Sequence, residues 1–141
     1  MPELLKEYSV NLSKEDEDSY NLEDILYYTL RFNDLNNFKY SKQSLFENAR
    51  RYINFLNELH KERNLDLIIS WNDTFMFDSL AKKFAEIKKI PTLFFEAGIF
   101  RPNTITLDAH GVNFGNSIPQ DPAIYNEIKL DEDLFKEFIK K

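Results

Sequence analysis

The sequence predicts an α/β protein with a Rossmann-like βαβ unit, and three observations carry that prediction. Two short apolar runs, about 65–71 and 91–96, are rich in branched and aromatic residues, as strands are. Between them Phe77, Leu80, Ala81, Phe84 and Ile87 recur at spacings of three and four, the period of an amphipathic helix. Strand, helix and strand within about 30 residues form a unit whose crossover is almost always right-handed and whose strands are parallel.

Taken in order, the chain opens with a stretch of little periodicity, 1–20. Its charge run Lys14-Glu15-Asp16-Glu17-Asp18 reads as a solvated, flexible amino-terminal segment. A helix is expected over about 21–32, where Leu22, Ile25, Leu26 and Leu30 share a face and Glu23 and Asp24 suit the first turn. Asn33-Asp34-Leu35-Asn36-Asn37 then marks a break. The longest helix, about 44–63, opens on Ser44 with Glu47 at capping-box spacing. Its apolar stripe runs from Leu45 to Leu59, and His60 at its rim reads as a packed side chain. Asn64 closes it.

Leu65-Asp66-Leu67-Ile68-Ile69-Ser70-Trp71 is nearly continuous in apolar character, which suits a parallel strand buried on both faces. Asn72-Asp73-Thr74 offers three good helix caps before a helix over about 75–89. Ile90-Pro91 leads into the second strand, because proline is tolerated at a strand's start. After a long polar window, Asp131-Glu132-Asp133 starts a last helix, about 131–140, with acidic residues in its first turn.

The 141 residues fit one α/β domain, 1–141. A hydrophobic content of 43% with 15% aromatics argues for a packed core. A net charge of −6 argues against sequence-independent binding of nucleic acid, which needs a basic face. There is no cysteine, hence no disulfide framework or thiol chemistry, and the cytoplasm is the expected compartment. No signal sequence or membrane-spanning run is read, so membrane association would be at most peripheral.

Function gathers at the end of the second strand. If the two strands are parallel in one sheet, their carboxyl ends share an edge, so Asn72-Asp73-Thr74 and Glu96-Ala97-Gly98 face one crevice, where open α/β sheets bind ligands. Glu96 leaves an apolar strand, so partial desolvation would suit it to acid or base work; a structural pairing with Arg101 explains it equally well. Arg101 offers a planar fork for phosphate or carboxylate, or for Glu96 or Asp108. Gly98 reads as a tight turn or close approach. Asn72, Asp73 and Thr74 could bind hydroxyls, but helix capping explains the same three residues without a ligand and is the better reading for at least one of them. Asp108, His110 and Asn113 follow in the polar window, His110 reading best as a turn residue. With two histidines in the chain and no recognised cage, no metal site is read, nor any nucleotide-binding glycine motif.

Glu96-Ala97-Gly98, Phe100-Arg101-Pro102, Thr104-Ile105-Thr106-Leu107-Asp108 and Gly111-Val112-Asn113, followed by Ser117, Pro119 and Tyr125, resemble the capsule polysaccharide biosynthesis family. Its members are bacterial β-Kdo glycosyltransferases that build the lipid-linked Kdo stem of group 2 type capsules. The resemblance is closest over about Asp66 to Tyr125. It implies a partial GT-B fold belonging to a larger two-domain transferase, incomplete as an isolated chain. The implied reaction moves Kdo from CMP-Kdo to a lipid-linked acceptor with retention, without a cofactor. It further implies peripheral contact with the inner face of the cytoplasmic membrane, with capsule-assembly proteins or a carboxyl-terminal domain as partners. On this footing Glu96 and Arg101 are the expected catalytic residues, and Asn72, Asp73, Gly98, Thr104, Asp108 and Asn113 the expected substrate-binding ones. Where some family members carry Gly-Asp and an arginine-containing run, this chain has Asn72-Asp73-Thr74-Phe75, so no arginine role is carried over there. A noncatalytic glycan- or partner-binding module, and an unrelated small α/β interaction domain, are the rival readings.

Overall fold

The computed structural model describes residues 3–98, 104–112 and 115–140. Helices α1 (Lys14–Ser19), α2 (Leu22–Ile25), α3 (Tyr27–Leu35) and α4 (Lys42–Arg63) precede β1 (Ile68–Trp71), α5 (Met76–Lys88), β2 (Thr92–Ala97), β3 (Ile105–Asp108) and α6 (Glu132–Ile139). The sheet order is β1-β2-β3. β1 and β2 run parallel, Ile68 opposite Thr92 and Trp71 opposite Phe95, so the predicted βαβ unit is present. The sheet is mixed, because β3 returns antiparallel to β2 with Phe94 opposite Asp108 and Ala97 opposite Ile105. That third strand lies within the stretch read as a polar loop.

The core lies between the helices and one face of the sheet. Phe84, Phe94, Leu26, Ile53 and Leu80 are its largest fully buried side chains. Along α4, Leu45, Ala49, Ile53 and Leu56 are buried at the three- and four-residue spacing of one helix face. This face meets α5, whose Leu80, Phe84 and Ala85 belong to the same cluster. α4 starts earlier than expected: Ser41, not Ser44, is the cap, its hydroxyl accepting from the Ser44 N–H at 3.1 Å. Asn64 closes the helix in the left-handed conformation at φ 50°, which asparagine tolerates better than most residues. His60 is structural, its Nδ1 accepting from the Leu65 N–H at 3.1 Å.

The helix expected over 21–32 divides into α2 and α3 at Leu26, which is fully buried. The amino-terminal stretch also departs from expectation. Its charge run folds as α1, because the Ser13 hydroxyl accepts from the Asp16 N–H at 3.0 Å and the first turn is acidic. Residues before it dock on α4. Arg51 Nη1 donates to the carbonyls of Lys6 (2.8 Å), Tyr8 (3.2 Å) and Leu5 (3.5 Å), while Asn54 donates to those of Ser9 (2.8 Å) and Asn11 (3.1 Å).

β1 is covered on one side only, against the expectation of burial on both. Ile68 packs on the core cluster, and the Ser70 hydroxyl donates to Asp78 of α5. On the other side Ile69 and Trp71 are exposed. Hydrophobic continuity reports that a strand can be buried twice, not that its own chain supplies both covers.

Candidate functional site at the carboxyl edge of the parallel strands

The βα turn after β1 is built around Asn72. Its N–H still donates to the Phe95 carbonyl at 2.9 Å, so Asn72 stands beside Glu96 one step beyond the last ladder pair. The backbone then turns at φ 91°, and the Asn72 side-chain oxygen accepts from the N–H groups of Asp73 (2.7 Å) and Thr74 (2.8 Å). None of the three expected caps begins α5. Phe75 occupies that position without a side-chain bond, and the Thr29 hydroxyl of α3 accepts from the Met76 N–H at 2.8 Å. Freed from capping, the Asp73 carboxylate pairs with Lys82 Nζ at 2.6 Å. Lys82 also lies 5.0 Å from the centre of the Phe94 ring, a cation–π contact.

The turn after β3 closes over this pair. A Cβ on Gly111 would stand 2.5 Å from Asp73 Oδ2 and 2.8 Å from Lys82 Nζ. Asp73, Thr74 and Ser79 line a crevice of about 450 Å³ together with Asp24 and Tyr28 from the helical side and Val112 and Gly115 from the turn. A second hollow of about 380 Å³ adjoins it through the shared Asp24, Ile25, Asp73 and Ser79 and reaches Lys82 and Lys83. Carboxylates, hydroxyls, ammonium groups and an aromatic ring around one groove can hold a polyhydroxylated ligand through hydrogen bonds and ring contact.

The expected site residues thus fall into three places. Asn72, Asp73 and half-buried Glu96 come together at the carboxyl edge of β1 and β2. Gly98 and Thr104 meet where β2 passes to β3: the Gly98 N–H donates to the Thr104 carbonyl at 2.7 Å, and a Cβ on Gly98 would collide with the Thr104 side chain. Its close approach is a backbone requirement, as predicted. Asp108 forms a third place. Its carboxylate accepts from the Ser117 hydroxyl, the Ser117 N–H at 2.9 Å and the His110 N–H at 2.7 Å, which ties the turn to the sheet. Exposed His110 therefore contributes its backbone there. Arg101 and Asn113 lie outside the described residues. Lys82, absent from the sequence reading, is the main addition. A lysine on the polar side of an amphipathic helix carries no sign that it reaches back nine positions, so only its fit beside Asp73 reveals it.

The Ser117 hydroxyl and the N–H groups of His110, Ser117 and Gly111 lower the Asp108 carboxyl to about 2, against the opposing effect of burial. A depressed folded-state value means that this contribution is complete above about pH 4 and is lost as pH falls through about 2. Asp108→Asn is expected to cost about 1–3 kcal/mol at pH 7, since its partners lose an ionised acceptor. Its urea stability should also decline less than the parent's between pH 4 and 2. Parallel pH profiles for the two proteins would contradict this.

The family model described as capsule polysaccharide biosynthesis protein matches residues 66–137, just over half of the chain and all of the edge described above. The chain belongs to the capsule polysaccharide biosynthesis family. It is also similar to the capsule polysaccharide export protein KpsS of Escherichia coli, 32% identical over 83 residues, which make up 59% of this chain and 21% of that protein. The chain thus spans about a fifth of the length of the curated relative it matches. No solved structure gives a significant match. Membership in the family removes the unrelated interaction domain from the rival readings. Among the described residues, no helix is long and apolar enough to cross a membrane.

Proposed function

We propose that this chain supplies part of the sugar site of a retaining β-Kdo transferase with a Rossmann-like, GT-B-type architecture, acting in capsule polysaccharide synthesis. The Kdo anomeric carbon exchanges its bond to the CMP phosphate for one to an acceptor hydroxyl on a lipid-linked glycan, and that hydroxyl gives up its proton. Glu96 is assigned the proton-transfer role, and Asp73, oriented by Lys82, a hydroxyl-binding role. Arg101 is assigned the donor phosphate or Kdo carboxylate. The observation that carries the reading is the Asp73–Lys82 pair in the crevice where the parallel strands end, with Glu96 near the end of β2 on the same edge, inside the family-matched segment. The remaining machinery, including a nucleotide-holding domain, is assigned to chain beyond the fifth of the relative's length that this protein spans.

A noncatalytic glycan-binding module is the second reading. It is favoured by Asn72, whose side chain is engaged within its own turn. Calorimetric titration of the chain with CMP, CMP-Kdo and a Kdo-terminated lipid acceptor tests both. Binding of a Kdo ligand, weakened ten- to a hundredfold in Asp73→Asn, is expected for loss of a charged hydrogen bond worth about 1.5–3 kcal/mol. Turnover measured together with the remaining machinery and lost in Glu96→Gln selects the transferase; Kdo binding with turnover indifferent to Glu96→Gln selects the module. A folded chain giving no heat with any Kdo ligand would defeat both.

A further inference from the structure

One side of the sheet is bare and apolar. Ile69, Trp71, Leu93, Phe95, Ile105 and Leu107 share it by register. Trp71 is 52% exposed and Leu107 61%, and Trp71 meets Phe95 edge to face at 4.8 Å. The same chain carries a second apolar surface. Every residue from Pro119 to Lys140 is exposed, and α6 turns Leu134, Phe135, Phe138 and Ile139 to one side of an amphipathic helix. Among the described residues, α6 makes no substantial contact with another element. A flat apolar sheet face and an apolar helix stripe are the two halves of a standard α/β layer.

We infer that α6 of one copy packs on the bare sheet face of a second copy, and that the exchange is reciprocal, giving a two-fold dimer. Area supports this occupant. The exposed portions of the sheet and helix residues sum to several hundred Å² on each surface. A reciprocal exchange therefore buries on the order of 1,500 Å², within the range of about 1,200–2,000 Å² for stable interfaces. In the structure α6 does not cover its own sheet, so docking on a second copy needs no refolding of either element. Reciprocity closes the assembly, with both faces used once and none left to propagate a filament.

Trp71 is the only tryptophan of the protein and stands on the proposed interface, so its emission reads the interface directly. The experiment is sedimentation velocity of the full chain across a concentration series, with Trp71 emission and acrylamide quenching on the same samples. A dimer is expected, with blue-shifted, poorly quenched emission that reverts on dilution. The double variant Leu134→Asp, Phe135→Asp should be monomeric, with red-shifted emission and at least a severalfold rise in quenching. Both positions are exposed in the single chain, so the variant should still melt cooperatively, with a midpoint that no longer rises with protein concentration as the dimeric parent's does. Leu107→Lys, on the opposite surface, should give the same result and guards against a local effect on α6. A monomer with shielded Trp71 would mean that α6 closes on its own sheet, and a monomer with exposed Trp71 that the face awaits another partner; each overturns the inference. So does a dimer that survives both variants.

Discussion

A Phe84→Ala variant is expected to lose about 3–5 kcal/mol of unfolding free energy, the usual cost of emptying a large aromatic site in a well-packed core. Phe84 is fully buried within the cluster that joins α4 and α5. It meets the edge of His60 at 5.9 Å, and His60 in turn receives the Leu65 N–H, so the ring supports the entry into β1. Flanking elements anchored elsewhere cannot collapse fully into the vacancy, and the cavity adds to the lost transfer free energy. Because single domains are stable by only about 5–15 kcal/mol, the variant should be close to the limit of folding. The measurement is the urea midpoint, with the slope checked for constancy. A loss under about 1 kcal/mol would mean that the core closes over the gap.

The second large effect separates two glycines of one turn. Gly111→Ala should cost about 1–3 kcal/mol as an overpacked site. The added carbon falls 2.5 Å from Asp73 Oδ2 and 3.0 Å from the Gly115 carbonyl oxygen, at a backbone φ of 156°. Relief requires moving either the Asp73–Lys82 pair or the turn that roofs the crevice. Under the proposed sugar-site reading, affinity for the ligand should therefore fall together with stability. Gly115→Ala meets Asp73 only at 3.5 Å and Lys82 at 3.9 Å, ordinary contacts, and should stay within about 0.5 kcal/mol of the parent. Chemical denaturation of both variants, followed by the same ligand titration, checks the contrast. Equal losses would show that the roof is not seated on the ion pair.

β1, α5 and β2 are legible because period, length and proline placement agree, and the parallel arrangement of the strands follows from the helical crossover that joins them. β3 was not read, although Thr104-Ile105-Thr106-Leu107-Asp108 alternates with the period of two that a half-covered strand shows. The alternation is inverted: Thr106 and Asp108 face inward while Ile105 and Leu107 are exposed, so it carries no ordinary core-face signature. α1 was hidden because a helix polar all round has no periodic signature; its cap and its bonds to α4 hold it in place. At the site, Glu96 and the Asn72-Asp73 turn are placed by topology. The roles within the turn are not, because whether Asn72 caps the helix or closes its own turn depends on the Thr29 hydroxyl, which takes the Met76 N–H across 47 positions of chain.

Arg51 gathers three carbonyl oxygens of the opening stretch onto one nitrogen. A guanidinium keeps its proton at any acidity or alkalinity a folded protein survives. The neighbouring tether is of a different kind: Glu17 on α1 pairs with Arg50 at 2.7 Å, and the hydrogen bond from Arg50 lowers its carboxyl below the ordinary range. Acid therefore weakens the second tether, as the Glu17 carboxylate takes up its proton, and spares the first.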